Sequence, residues 1–186
     1  MIFKATFIIA ILVLGQWIDV RSQDWNYCGN KKKMRIERIR TLFPFKRSAT
    51  INLVSFKRES PEDFRETPKT NGQVDLSKLY ENVILEDKLK DELLDILVNY
   101  NRDPKNKNIP AKSALCYEPR NAILFLDKDK KVIAYIELCF DCAQYLERSG
   151  KMKIGEFCDE KFKRIKDIFE RSGITYGLID TPNDDY

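Results

Sequence analysis

Apolar residues recur along this chain with two periods, and the change from one to the other marks out the elements. Between Leu85 and Tyr100, the side chains of Leu89, Leu93, Ile96, Leu97 and Tyr100 fall on one helical stripe, while Lys88, Lys90, Asp91, Glu92 and Asp95 take the rest. That spacing predicts a helix over about 86–100. Phe162, Ile165, Ile168 and Phe169 form a second stripe with Lys161, Lys163, Arg164, Lys166 and Glu170 opposite and Gly173 as a stop, which predicts a helix over about 159–171. At 49–56 the period is two: Ile51, Leu53 and Ser55 face one way, Asn52, Val54 and Phe56 the other. Apolar residues on both faces predict an interior strand.

The stretch from Cys116 to Cys142 predicts an antiparallel hairpin over about 121–127 and 132–140, because two β-branched and aliphatic runs flank Lys128, Asp129, Lys130 and Lys131. Placing Asp127 opposite Val132 sets Arg120 opposite Cys139 and Tyr117 opposite Cys142, with Cys116 about one residue away. Opposed residues in such a ladder have Cα atoms roughly 4.5–5.5 Å apart, so three sulfurs gather at one end. Pro119 removes a backbone donor and bends or frays the first strand there. Glu137 interrupts an apolar strand on the face of Tyr135 and Cys139; it is solvent-facing or paired, and Arg120 is its expected partner. Residues 59–74 and 99–112 read as loops, with one helical turn from Ser60. Leu76–Tyr80 reads as a short helical turn, Val83–Leu85 as an extended link, 143–157 as irregular and Ile174–Ile179 as a last short strand. The fold class is α+β, a small antiparallel sheet packed by two helices in one domain at 48–180, ending in a tail at 181–186.

Residues 1–22 read as a signal peptide: Lys4 precedes a ten-residue run, Ala5 to Leu14, in which only Thr6 is polar, and Val20-Arg21-Ser22 suits a peptidase. The run is shorter than the ~20 apolar residues of a membrane span. The chain is therefore expected to be exported, periplasmic or secreted, and membrane-anchored only through this segment if it is retained. The 186 residues carry a net charge of +4, and losing Lys4, Asp19 and Arg21 with the leader lowers it by one. Acidic and basic residues alternate, which is no nucleic-acid footprint. One basic concentration spans Lys31 to Arg47, and residues 23–47 read as a solvated, partly disordered lead-in rather than a patch for a membrane or an acidic partner.

Of the five cysteines, Cys116, Cys139, Cys142 and Cys158 form the candidate site, with Arg120 and Glu137 beside it and Cys28 single or paired between molecules. Export favours disulfides, and four cysteines allow three pairings, of which Cys116 with Cys139 or Cys142 is preferred. The alternative is four thiolates on zinc, or a thiol-redox pair, since the Cys139-Phe140-Asp141-Cys142 spacing is common to both. Cys158 opens a helix, a place that lowers the pKa of a free thiol. No cofactor is expected outside the zinc alternative. With no histidine, and seven glycines too scattered for a phosphate loop, the chain offers no catalytic residue set.

CYEPRNAILF, AYIELCFDC, Cys158 and GITYG together resemble an uncharacterised family of exported bacterial proteins with a C-Y-x-P-R and C-F-x-C pattern. Some relatives carry histidine where this chain has Asn121. The resemblance implies export and no particular reaction. The expected function is a non-enzymatic binding or interaction domain, its cysteines structural, its partner an unidentified protein or small ligand.

Overall fold

The computed structural model describes residues 28–29, 33–57, 67–71, 73–102 and 117–178. Its centre is a five-stranded antiparallel sheet in the order β5-β2-β7-β8-β9. These strands are β2 (Thr50–Ser55), β5 (Glu81–Ile84), β7 (Asn121–Leu126), β8 (Val132–Cys139) and β9 (Gln144–Glu147). Two two-stranded pairs flank it: β1 (Cys28–Gly29) with β6 (Asn101–Arg102), and β3 (Lys69–Thr70) with β4 (Gln73–Val74). The helices are α1 (Ile36–Ile39), α2 (Asp87–Asn99) and α3 (Asp159–Arg171), with a 3₁₀ turn at Leu76–Lys78. This is the α+β class expected.

Every residue of β7 is buried, as a middle strand covered on both faces must be. On one face Ile51, Leu53, Ile123, Phe125, Ile136 and Leu138 meet the apolar stripes of α2 and α3. On the other, Val54, Phe56, Ala122, Leu124 and Leu126 lie under Val74, Leu76 and Leu79. Burial of each such side chain contributes about 1.5–3 kcal/mol, so the two-faced sheet is the main source of stability.

The α3 boundaries coincide with the expected ones. Gly173 at φ 88° closes the helix: its N–H donates to Glu170 O and that of Ile174 to Phe169 O. With Ile174 and Phe169 both buried, this is a Schellman stop, and only glycine takes that φ without a Cβ penalty.

The hairpin register is the one derived from the sequence, pairing Asn121 with Leu138, Ala122 with Glu137 and Ile123 with Ile136. The premise at the turn is off by one: Leu126, not Asp127, faces Val132, and a bulge at Ile133 absorbs the difference. Asp127 instead builds the turn, its carboxylate accepting from the N–H groups of Asp129 and Lys131, both at 3.0 Å. The irregular stretch after the hairpin contains a strand, β9, which pairs Gln144 with Cys139 and Glu147 with Ile136. Ile174–Leu178 is a turn rather than a strand, latched by Glu81, which accepts from Thr175 and Tyr176.

The described part of the basic lead-in, 33–47, is folded rather than disordered. Ile39 and Phe45 are buried among the core residues, and Asn99 at the end of α2 bonds the Met34 backbone through both its donor and its acceptor. Residues 1–27, the turn expected from Ser60, the loop 103–112, Cys116 and the tail 181–186 lie outside the described residues.

Candidate functional site

The sequence placed Cys116, Cys139, Cys142 and Cys158 together; Cys116 lies outside the described residues, Cys139 and Cys142 sit at the β8–β9 turn, and Cys158 is bonded to Cys28. Cys139 ends β8, and Phe140 to Ala143 form the tight turn into β9, closed by Ala143 N–H donating to Phe140 O at 3.2 Å. Ala143 takes φ 48°, the left-handed residue that such a four-residue hairpin loop needs. Cys139 and Cys142 are both buried; Cys139 is not in a disulfide and Cys142 is disulfide-bonded. Burial pushes the Cys139 thiol up, partly offset by backbone hydrogen bonding from Glu118 and Cys142. Phe140 anchors the turn against Phe169 of α3, edge-on with centroids 5.4 Å apart.

Cys158 belongs elsewhere. It is the N-cap residue of α3 and is joined to Cys28, with Cα atoms 5.7 Å apart and 130 residues between them in sequence. Cys28 is therefore neither single nor kept for another molecule, and Cys158 offers no activated thiol at the helix start. The four-thiolate zinc site fails as well: Cys142 and Cys158 are consumed in disulfides, and a disulfide sulfur is no thiolate ligand. Among the described residues no group of three cysteine or carboxylate side chains gathers to hold a metal.

The ion-pair partner of Glu137 is Arg148, not Arg120. Glu137 is fully buried; its Oε2 lies 2.8 Å from the Arg148 guanidinium, and its Oε1 accepts from Thr67 N at 2.7 Å and Thr67 Oγ1 at 3.0 Å. Tyr117 Oη reaches the same carboxylate at 3.4 Å, and burial together with the Glu137 charge pushes that phenol well above its ordinary range. Arg148 lies just past β9, a strand the sequence did not disclose, and so it was missed.

Lys161 was missed too. Expected on the solvated side of α3, it is fully buried, donating to Leu97 O at 2.8 Å, Asn101 Oδ1 at 3.1 Å and Gly155 O at 3.2 Å. Its ammonium sits 4.3 Å from the Phe157 ring centroid, and Phe157 stacks on Tyr145 at 3.8 Å. Burial pulls its pKa down to about 7, while the acceptors at the C-terminal end of α2 and the ring face favour the charge. A legible signal existed: 161, 165 and 168 share the helical stripe, so the position points inward. A Cβ at Gly155 would overlap the Asn101 side chain, so this cage also requires glycine there.

Comparison with protein-family models, curated proteins and solved structures gives no match. The site is therefore read from its own chemistry. Besides the cysteine turn and the lysine cage, a cleft of about 420 Å³ opens beside the first turns of α2, between Arg40, Lys46, Asp87, Lys90 and Asp91. Arg40 pairs with both oxygens of Asp91, and Lys90 with Asp87 at 3.2 Å. These exposed pairs are worth little in stability and give the cleft a rim of both signs.

Proposed function

We propose that this chain is an exported, disulfide-fastened α+β domain that binds a partner and does not transform a substrate. The observation that carries the reading is the Cys28–Cys158 disulfide, which ties the N-terminal strand to the start of α3 across 130 residues. Such a bridge persists in an oxidising compartment and is reduced in a typical cytosol. Residues 1–22, with one lysine before ten largely apolar residues, supply the leader that takes the chain there. No helix among the described residues is long and apolar enough to cross a membrane. Cys142 is likewise disulfide-bonded, whereas Cys139 is not in a disulfide.

The saturated carboxylates support a binding rather than a catalytic role. Glu137 is held by Arg148 and Thr67, and Glu81 by Ser55, Thr175 and Tyr176. Burial pushes Glu81 up, yet those hydrogen bonds outweigh it and hold the carboxyl below its usual range, a poor setting for a proton shuttle at neutral pH.

Expression of the full chain in an exporting host tests this. The expected outcome is protein outside the cytoplasm that begins near Gln23 and has one alkylatable thiol after unfolding without reductant. Chain held in the cytosol with residues 1–22 intact and every cysteine reduced would overturn it.

A further inference from the structure

We propose that β5 is a self-association edge, to which a second copy of this chain adds its own β5 in antiparallel pairing. β5 ends one side of the sheet, paired with β2 and with no described strand beyond it. Leu85 N donates to Ile51 O at 2.8 Å. Bonded pairs alternate along an antiparallel ladder, so Glu81 and Val83 bond inward while the N–H and C=O groups of Asn82 and Ile84 point outward. No described residue bonds to those outward groups. Of the three large apolar side chains left exposed among the described residues, two lie on or next to this strand: Ile84 is 62% exposed and Tyr80 55%. Edges are commonly protected by proline or lysine, and Glu81–Ile84 carries neither.

A second copy is the occupant because the edge is complementary to itself. With Val83 facing Val83 of the second copy across a two-fold axis, the outward donor of Asn82 meets the outward acceptor of Ile84, and the reverse. The Ile84 side chains become diagonal neighbours on one face, and the Val83 side chains direct neighbours on the other. Tyr80, whose ring centroid lies 4.0 Å from the Lys57 ammonium, comes beside the exposed Glu86 of the second copy, so base meets acid. Glu81 comes opposite Leu85, and no like charges oppose within the strand. A ladder of 4 residues makes a weak association, with a dissociation constant on the order of 0.1 mM. The pairing depends neither on export nor on another partner, so its test is separate from that of the proposed function.

Sedimentation equilibrium of the full oxidised chain from about 10 µM to about 1 mM, with thiols blocked against intermolecular disulfides, should show the mean mass rising from one chain towards two. Hydrogen exchange over the same range should slow at the amides of Asn82 and Ile84. A lysine at an exposed edge position leaves the fold intact and repels its own copy, so Ile84→Lys should raise the dissociation constant at least about tenfold. Should that variant not fold, the wild-type exchange data decide. A chain that stays single at the highest concentration overturns the proposal. So does a dimer whose Asn82 and Ile84 amides exchange as fast as in the single chain, because it pairs through another face. Protection of those amides at every concentration also overturns it, since a segment of the same chain then already covers the edge.

Discussion

Among the described residues Lys161 has no carboxylate partner; backbone and amide acceptors hold it, and its three N–H donors match three acceptors. Only the ammonium form satisfies all three, whereas burial opposes that form and lowers the pKa to about 7. An unfolded lysine titrates near 10.4. Between those two values the unfolded chain therefore holds a proton that the folded chain has released, and stability rises with pH across the window. Below pH 7 both states are protonated and the contribution is flat. Urea unfolding of the wild type and of Lys161→Met at pH 7, 8 and 9 should show the wild type gaining up to about 1.4 kcal/mol per unit relative to the variant. A difference that stays constant over that range would mean the three acceptors hold the charge in spite of burial.

Among the elements, α3 and the β7–β8 register were legible because each is decided locally: a stripe with a glycine stop, and two apolar runs around a polar turn. The strand β9 was not, since Gln144 to Glu147 is short and half polar, and only the neighbouring β8 makes it a strand. That omission explains the wrong partner for Glu137. Arg120 was the nearest cation on the one neighbour that could be inferred, whereas Arg148 follows a neighbour that could not. The Glu137 carboxylate now joins three elements, holding Thr67 and the segment leading into β3 against the sheet. Arg148→Met should cost about 3–5 kcal/mol, because it leaves a buried carboxylate without its countercharge. Adding Glu137→Gln should restore part of that loss, since the amide oxygen still accepts from Thr67 and carries no charge. Equal unfolding midpoints for the single and double variants would show that the pair contributes through packing alone.

For the whole molecule, the features that escaped the sequence are the ones that join distant residues. The basic run hid Ile39 and Phe45, whose burial depends on α2 and the sheet arriving from elsewhere in the chain. The β1–β6 pairing, the bond from Arg102 N to Glu156 O at 3.0 Å, the Lys161 cage and the Cys28–Cys158 disulfide form one seam on which the N-terminal strand, the end of α2 and the start of α3 converge. No local pattern encodes a seam drawn from residues near 28, 101 and 158. Its energetic weight follows from the length of chain it closes: a bridge spanning 130 residues restricts the unfolded state by about 5 kcal/mol in the loop-closure picture. The sheet and the two long helices are packed by the apolar core and not by this bridge, so the Cys28→Ser, Cys158→Ser protein should still fold, with a melting temperature lower by about 10–20 °C at this chain length. Differential scanning calorimetry of that variant beside the oxidised wild type checks the figure. A shift of only a few degrees would mean that the hydrogen bonds and aromatic contacts of the seam already hold the N-terminal strand, leaving the disulfide little unfolded-state entropy to remove.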